Sequence, residues 1–141
     1  MRDVLAGAER WLRALPVWIA PLLTLLCASF VAFMSLIDGD ELPGAPFEFA
    51  DKVVHVGFYL GFAFVLGLSL RPRLRHAPFW AMILAFFYGL FLEFGQEQWA
   101  SGRFFDMKDA VANGIGAFLA SSLRTAMQNA LDRSAGRSAN R

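Results

Sequence analysis

The chain has 141 residues, of which 57% are hydrophobic and only 18% are charged, and its mean hydropathy is +0.46. Soluble domains are roughly half apolar and a quarter charged, so this composition argues against a nucleic-acid binder, a disordered chain and an ordinary soluble enzyme. A net charge of +1 says little by itself, and a single cysteine excludes an intrachain disulfide framework. The length suits one domain.

Four apolar stretches predict transmembrane helices, since a span needs about 20 mostly apolar residues. The first covers residues 15–37, the second 53–70 and the third 77–94. The fourth is the weakest, because its uncharged part covers only residues 110–123. We therefore predict an all-α, polytopic membrane protein with four transmembrane helices.

The segments that flank these spans differ in character. Residues 1–13 carry apolar side chains at helical spacing, with Arg10 and Arg13 on the other face, which predicts an amphipathic helix at the membrane interface. Residues 14–126 form the predicted four-helix transmembrane domain. Residues 127–141 are rich in Ser, Ala, Gly, Asn and Arg, and we expect a disordered cytoplasmic tail.

Basic residues are sorted by region. Ten of the thirteen fall in the N-terminal segment, in the loop after the second span or in the C-terminal tail, which leaves only Lys52, Arg103 and Lys108 on the other side. Cytoplasmic loops are enriched in Lys and Arg, so we predict that both termini are cytoplasmic. The loops after the first and third spans then face outward.

Small residues recur at every fourth position on the last three spans, a pattern typical of helix–helix contact in membranes. On the third span this stripe continues to Glu93, so we expect that carboxylate to face protein rather than lipid. The stripe residues are Ala77, Ala81, Ala85 and Gly89 on the third span, Ala112, Gly116 and Ala120 on the fourth, and Gly57 and Gly61 on the second.

Polar residues gather at the outer ends of the last three spans. Ionisable groups at membrane depth are costly unless they are paired, so these residues are candidates for ligand binding. An equally weighted alternative is a structural polar knot, in which Arg103 pairs with a carboxylate and Asp51 or Asp106 caps a helix. The candidate ligand-binding residues are Asp51, Lys52, His55, Glu93, Gln96, Arg103, Asp106, Asp109 and Asn113.

The order and spacing of these residues resemble the VanZ-like family of small bacterial membrane proteins. The residues that carry the resemblance are Asp51-Lys52-x-x-His55, Glu93-x-x-Gln96, and then Arg103, Asp109, Asn113 and Gly116. Glu97 departs from the pattern by adding a charge directly after the third-span motif. The resemblance implies a multi-pass protein of the bacterial inner membrane with a role in the cell envelope. The family is named after a protein associated with glycopeptide resistance, but the resemblance implies no reaction.

Three functions fit this pattern, and we favour the first. It is the binding or handling of an envelope lipid or glycan headgroup at the outer leaflet, in which Arg103 meets an anionic lipid-linked phosphate. The second is a membrane-embedded acid/base or metal-assisted hydrolase or transferase, with His55, Glu93 and Asp109 as candidate catalytic residues. The third is a structural subunit of an envelope complex, or a homodimer, joined through the small-residue stripes.

The sequence offers little support for catalysis beyond those three residues. Ser101 is the only serine expected on the outer side, and no nucleophile motif surrounds it. One histidine with two carboxylates is a weak metal signal, so we assign no metal site and no cofactor from the sequence. The expected partners are membrane lipids and not nucleic acid.

Overall fold

The computed structural model describes residues 1–37, 49–100, 102 and 104–139, and every regular element within those ranges is a helix. The prediction of an all-α protein is therefore confirmed. The helices are α1 (Arg2–Ala14), α2 (Ile19–Leu36), α3 (Ala50–Leu70), α4 (Ala77–Trp99) and α5 (Met107–Ala139).

Three helices, α2, α3 and α4, are long and apolar enough to cross a membrane. Their outward faces carry large apolar side chains that the fold leaves uncovered, such as Leu25, Phe33 and Phe87. Lipid tails are as apolar as leucine, so these faces suit a bilayer. α5 does not belong to this set, and its uncharged stretch from residue 110 to residue 123 is only about 21 Å long. The three helices and their exposed apolar faces indicate a membrane protein.

α5 lies at the centre of the bundle, where it packs against α1, α3 and α4. It approaches α3 closely at Gly116, where an added Cβ would lie 2.9 Å from the Leu60 amide nitrogen and would overlap the Val56 carbonyl oxygen. The small-residue stripes of α4 and α5 are buried, and Ala81 and Ala120 are fully covered. The prediction that these stripes are contact surfaces is confirmed.

The glycine pair of α3 behaves differently. An added Cβ at Gly57 or Gly61 would meet no atom within 4 Å among the described residues. The expectation that this pair forms a helix contact is therefore wrong for the single chain. The spacing of two glycines shows that one helix face lacks side chains, but it does not predict whether another helix packs against that face.

The two flanking segments are both helical. α1 covers the segment predicted to be amphipathic, and it leaves Val4 and Trp11 exposed while it buries Glu9. α5 continues to Ala139, through most of the segment 127–141 for which the sequence predicts disorder. Alanine, leucine, arginine and glutamine favour helix, and Met127 is buried, so local propensity and packing both extend α5.

Candidate functional site

Three helix ends meet at one end of the bundle, namely the start of α3, the end of α4 and the start of α5. At a rise of 1.5 Å per residue, the deepest polar groups lie about 8–9 Å inside these ends. The polar residues that meet there are called the His55 cluster, which consists of Lys52, His55, Glu93, Asp106, Asp109 and Asn113.

Lys52 connects the start of α3 to the start of α5. Its Nζ lies 2.8 Å from Asp106 Oδ2 and 2.5 Å from Asp109 Oδ1, and 2.8 Å from Oδ2 of its neighbour Asp51. Asp106 precedes α5 and accepts a 2.8 Å hydrogen bond from the Lys108 backbone N–H, so it also caps the helix as the structural alternative expected. The hydrogen bond from Lys52 lowers the pKa of the Asp106 carboxyl below its usual range.

His55 lies between α4 and α5. Its Nδ1 is 2.9 Å from Asn113 Oδ1, and its Nε2 is 3.8 Å from Asp109 Oδ1. Glu93 approaches from α4, with Oε1 3.9 Å from His55 Nδ1. When Nδ1–H donates to Asn113, Nε2 presents its lone pair toward the Asp109 carboxylate. One ligand atom each from His55, Glu93 and Asp109 lies within 4.8 Å of the others.

Several donors in this region have no acceptor. The hydroxyl of Tyr59, the amide nitrogen of Gln96 and the amide nitrogen of Asn113 are all buried without a hydrogen-bond partner among the described residues. Most buried polar groups in proteins are paired, and leaving one unpaired costs about 1–3 kcal/mol. The site therefore holds donors that an incoming acceptor would satisfy. The side chain of His55 remains 13% exposed, which leaves the cluster open at one edge.

Carboxylates gather around one ammonium in this site. The Lys52 ammonium is shared among the carboxylates of Asp51, Asp106 and Asp109. Glu93 brings a further carboxylate to the site at 1% exposure. The described groups therefore offer several carboxylate oxygens as hydrogen-bond acceptors.

The structure brings most of the predicted site residues together. Gln96 is buried one turn beyond Glu93 on the same face of α4. Asp51 remains largely exposed and lies in the first turn of α3, whose N-cap is Phe49, so the expectation that Asp51 caps this helix is wrong. Glu97 is exposed, and α4 runs past it without a break. Arg103 and Ser101 lie outside the described residues, as does most of the loop after α2.

A second polar cluster, which the sequence analysis missed, lies at the opposite end of the bundle. Glu9 of α1 and Arg124 of α5 are both fully buried, and both Nη atoms of Arg124 donate to the Glu9 carboxylate. Arg13 Nε donates to Glu9 Oε1 at 3.0 Å, and Arg71 Nε lies 3.8 Å from the same oxygen. These four residues are called the Glu9 cluster. Arg124 also lies over the Phe64 ring, with Cζ 5.3 Å from its centroid.

The position of Arg124 corrects its assignment. The sorting of basic residues counted Arg124 with the C-terminal tail, but the structure places it in the interior, where it joins α5 to α1. The signal that could have indicated the cluster is the four-residue spacing of Glu9 and Arg13, which places both on one face of α1.

Comparison with protein-family descriptions, with curated proteins and with solved structures finds no match to this chain. The VanZ-like resemblance therefore stays a prediction that depends on the residues quoted for it. The interpretation of the His55 cluster depends on its own geometry.

Proposed function

We propose that the protein is a VanZ-like, four-span protein of the bacterial inner membrane whose His55 cluster binds the headgroup of an envelope lipid or lipid-linked glycan. The observation that carries this proposal is the convergence of buried acceptors and unpaired donors from three helices at one end of the bundle. Because the cluster is open at His55, a headgroup can reach it from the outer leaflet.

The chemistry of the cluster favours a headgroup that carries hydroxyl groups. Carboxylates accept hydrogen bonds, and the Asn113 and Gln96 amide nitrogens donate them, which is the mixture of groups that a sugar matches. A carboxylate oxygen can accept a hydrogen bond from a sugar hydroxyl, whereas a phosphate oxygen offers it no donor. A lipid-linked sugar fits these groups, with its phosphate held by Arg103 as expected from the sequence.

Apolar surface beside the cluster is suited to a lipid tail. Phe94 follows Glu93 directly, is 55% exposed, and stacks on Phe105 with ring centroids 5.0 Å apart. Val54 on α3 and Val111 on α5 are also exposed next to cluster residues. A tail that lies along this surface would place its headgroup at the helix ends.

The packing of α5 supports its role as a fourth span. Its apolar stretch is short, but the charges that bound it are covered, since Asp109 contacts Lys52 and Arg124 contacts Glu9. Covered charges remove the main cost of placing a short polar helix at membrane depth. An even number of spans would put both termini on the cytoplasmic side, as the sorting of basic residues predicts. C-terminal fusions test this, because green fluorescent protein should fluoresce and alkaline phosphatase should be inactive.

Binding can be tested with purified protein in detergent. The probes are a polyprenyl phosphate that carries a disaccharide and the same lipid without sugar, measured by native mass spectrometry. We expect Asn113→Ala to weaken binding of the sugar-bearing lipid about tenfold or more, the equivalent of about 1.4 kcal/mol. Glu97→Gln on the exposed face of α4 is the control and should bind as wild type.

Two results would contradict the proposal. One is equal binding of the sugar-bearing lipid by wild type and Asn113→Ala, with both proteins folded by circular dichroism. The other is loss of folded protein in Asn113→Ala together with no lipid binding by wild type, which would favour the structural polar knot.

A second candidate function is hydrolysis or transfer at the same headgroup. The observation that favours it is the position of His55 between two carboxylates, with Asp109 and Glu93 less than 4 Å away. Either carboxylate with His55 could take a proton from an attacking water. Turnover of the sugar-bearing lipid that Asp109→Asn abolishes, while binding persists, would distinguish this reaction from binding alone.

A further inference from the structure

We propose that His55, Glu93 and Asp109 bind one divalent transition-metal ion. This site does not depend on the headgroup proposed above, since the inference follows from the arrangement of the protein ligands alone. One nitrogen and two carboxylate groups make up the ligand set, and this mixture suits first-row ions such as Zn²⁺, Co²⁺ and Mn²⁺ better than Ca²⁺ or Mg²⁺.

The spacing of the ligand atoms is that of groups that face a common ion. His55 Nε2 and Asp109 Oδ1 are 3.8 Å apart, and one atom from each of the three residues lies within 4.8 Å of the others. Metal–nitrogen and metal–oxygen bonds are about 2.0–2.2 Å long, so two ligands of one ion stand about 3–4 Å apart. Small side-chain rotations would bring the three groups onto one centre.

Asn113 supplies an independent observation. A histidine that binds a metal ion usually donates its other ring N–H to a fixed acceptor, which holds the ring and leaves the second nitrogen free to coordinate. Asn113 Oδ1 lies 2.9 Å from His55 Nδ1 and fulfils that role. Asn113 is 1% exposed and its amide nitrogen has no partner among the described residues, so it is available to an oxygen bound to the ion.

The experiment measures Zn²⁺ on the full chain, purified in detergent with a tag that contains no histidine. We expect one equivalent of Zn²⁺ per chain by elemental analysis after dialysis. Asn113→Ala should weaken Zn²⁺ binding about 10–100-fold, as loss of a group that orients a ligand does. His55→Ala should remove the stoichiometric site.

His76 offers a matched control, because it is the only other histidine and is exposed at the start of α4. His76→Ala should keep the full equivalent. X-ray absorption of Zn²⁺ in that variant should show one imidazole, which must then come from His55. This measurement settles the assignment even if His55→Ala does not fold.

Three results would overturn the proposal. They are folded wild type without stoichiometric Zn²⁺, unchanged binding in folded His55→Ala, and absence of imidazole from the Zn²⁺ coordination in His76→Ala. Lipid binding by a protein that binds no Zn²⁺ would reject the metal site and leave the proposed function intact. Zn²⁺ binding by a protein that binds no lipid would reject the proposed function and leave the metal site intact.

Discussion

The His55 cluster lies at the start of α5 and the Glu9 cluster lies at its middle, with Asp109 and Arg124 about 22 Å apart along the helix axis. In the Glu9 cluster, both oxygens of one buried carboxylate are held by arginines. In and beside the His55 cluster, the Asn113 amide nitrogen, the Tyr59 hydroxyl and the Gln96 amide nitrogen are buried without an acceptor among the described residues. Arg124 Nε also lacks an acceptor among those residues, so the contrast lies between a carboxylate bound at both oxygens and a group of several unpaired donors. A fully bound carboxylate stabilises a fold, whereas unpaired donors keep capacity for a ligand.

The largest effect should come from Glu9, because its removal leaves the buried Arg124 without its carboxylate. We expect Glu9→Gln to lower the free energy of unfolding by about 3–5 kcal/mol, since breaking a fully buried ion pair strands its partner. Denaturant unfolding in detergent, followed by circular dichroism, measures this change.

Asp3→Asn is the control, because Asp3 is exposed on the same helix and its loss should leave stability unchanged. A loss below about 1 kcal/mol in Glu9→Gln would mean that the Glu9 cluster does not fasten α1 to α5. The contrast between the two clusters would then disappear.

The sequence could not indicate the pairing of Glu9 with Arg124 for a physical reason. A charged residue on a short amphipathic helix normally faces solvent, and its partner Arg124 is 115 positions away, so no local spacing reports the pair. Arg124 follows an apolar run, where a basic residue ordinarily marks the cytoplasmic boundary of a span. Only tertiary packing decides that this arginine points inward.

The next effect concerns the α3–α5 contact that lies between the clusters. Gly116→Ala should destabilise the protein by about 1–3 kcal/mol, because the new Cβ meets backbone atoms of α3 that cannot move as a side chain can. The same measurement on Gly57→Ala is the control, since a Cβ there meets no atom of the described residues within 4 Å. Equal effects at the two positions would contradict the close approach at Gly116.

The sequence correctly predicted a helix–helix contact at Gly116 and wrongly predicted one at Gly57. Gly116 belongs to a stripe of small residues that packing confirms, and the continuation of the α4 stripe to Glu93 correctly predicted that this carboxylate is buried. Gly57 and Gly61 show the same spacing on an open face. Spacing reports which residues share a face, but it does not report whether another helix covers that face.

A substitution beside the His55 cluster should change stability in the opposite direction. We expect Tyr59→Phe to raise the free energy of unfolding of the ligand-free protein by about 1 kcal/mol, because it removes a buried hydroxyl that lacks an acceptor. The same variant should bind the sugar-bearing lipid less tightly if that hydroxyl serves the ligand. Denaturant unfolding and native mass spectrometry measure the two changes.

Tyr88→Phe is the matched control for Tyr59→Phe. The Tyr88 hydroxyl donates a 2.7 Å hydrogen bond to the Ala28 carbonyl, so its removal should destabilise the protein. If both variants lose stability alike, the Tyr59 hydroxyl is satisfied and the His55 cluster is more fully paired than proposed.

The smallest effect should come from Asp106 at the exposed edge of the His55 cluster. Its side chain is 41% exposed, so we expect Asp106→Asn to cost only about 0.2–1 kcal/mol at neutral pH. Asparagine still caps a helix, so Asp106→Asn removes only the negative charge. Asp106→Ala should destabilise the protein more, because it also removes the oxygen that accepts the Lys108 backbone N–H.

The pH dependence follows from the direction of the shift. The hydrogen bond from Lys52 lowers the pKa of Asp106 in the folded protein. The ionised Asp106 therefore contributes its full stabilisation at any pH above the pKa of this residue in the unfolded chain, and the contribution is lost as the pH falls through the lower pKa of the folded protein. Wild type and Asp106→Asn should therefore differ by a constant amount between about pH 5 and pH 8 and converge in stronger acid. A difference that instead shrinks between those two pH values would mean that Lys52 does not hold this carboxylate, and the Lys52 charge would then be free to meet a phosphate.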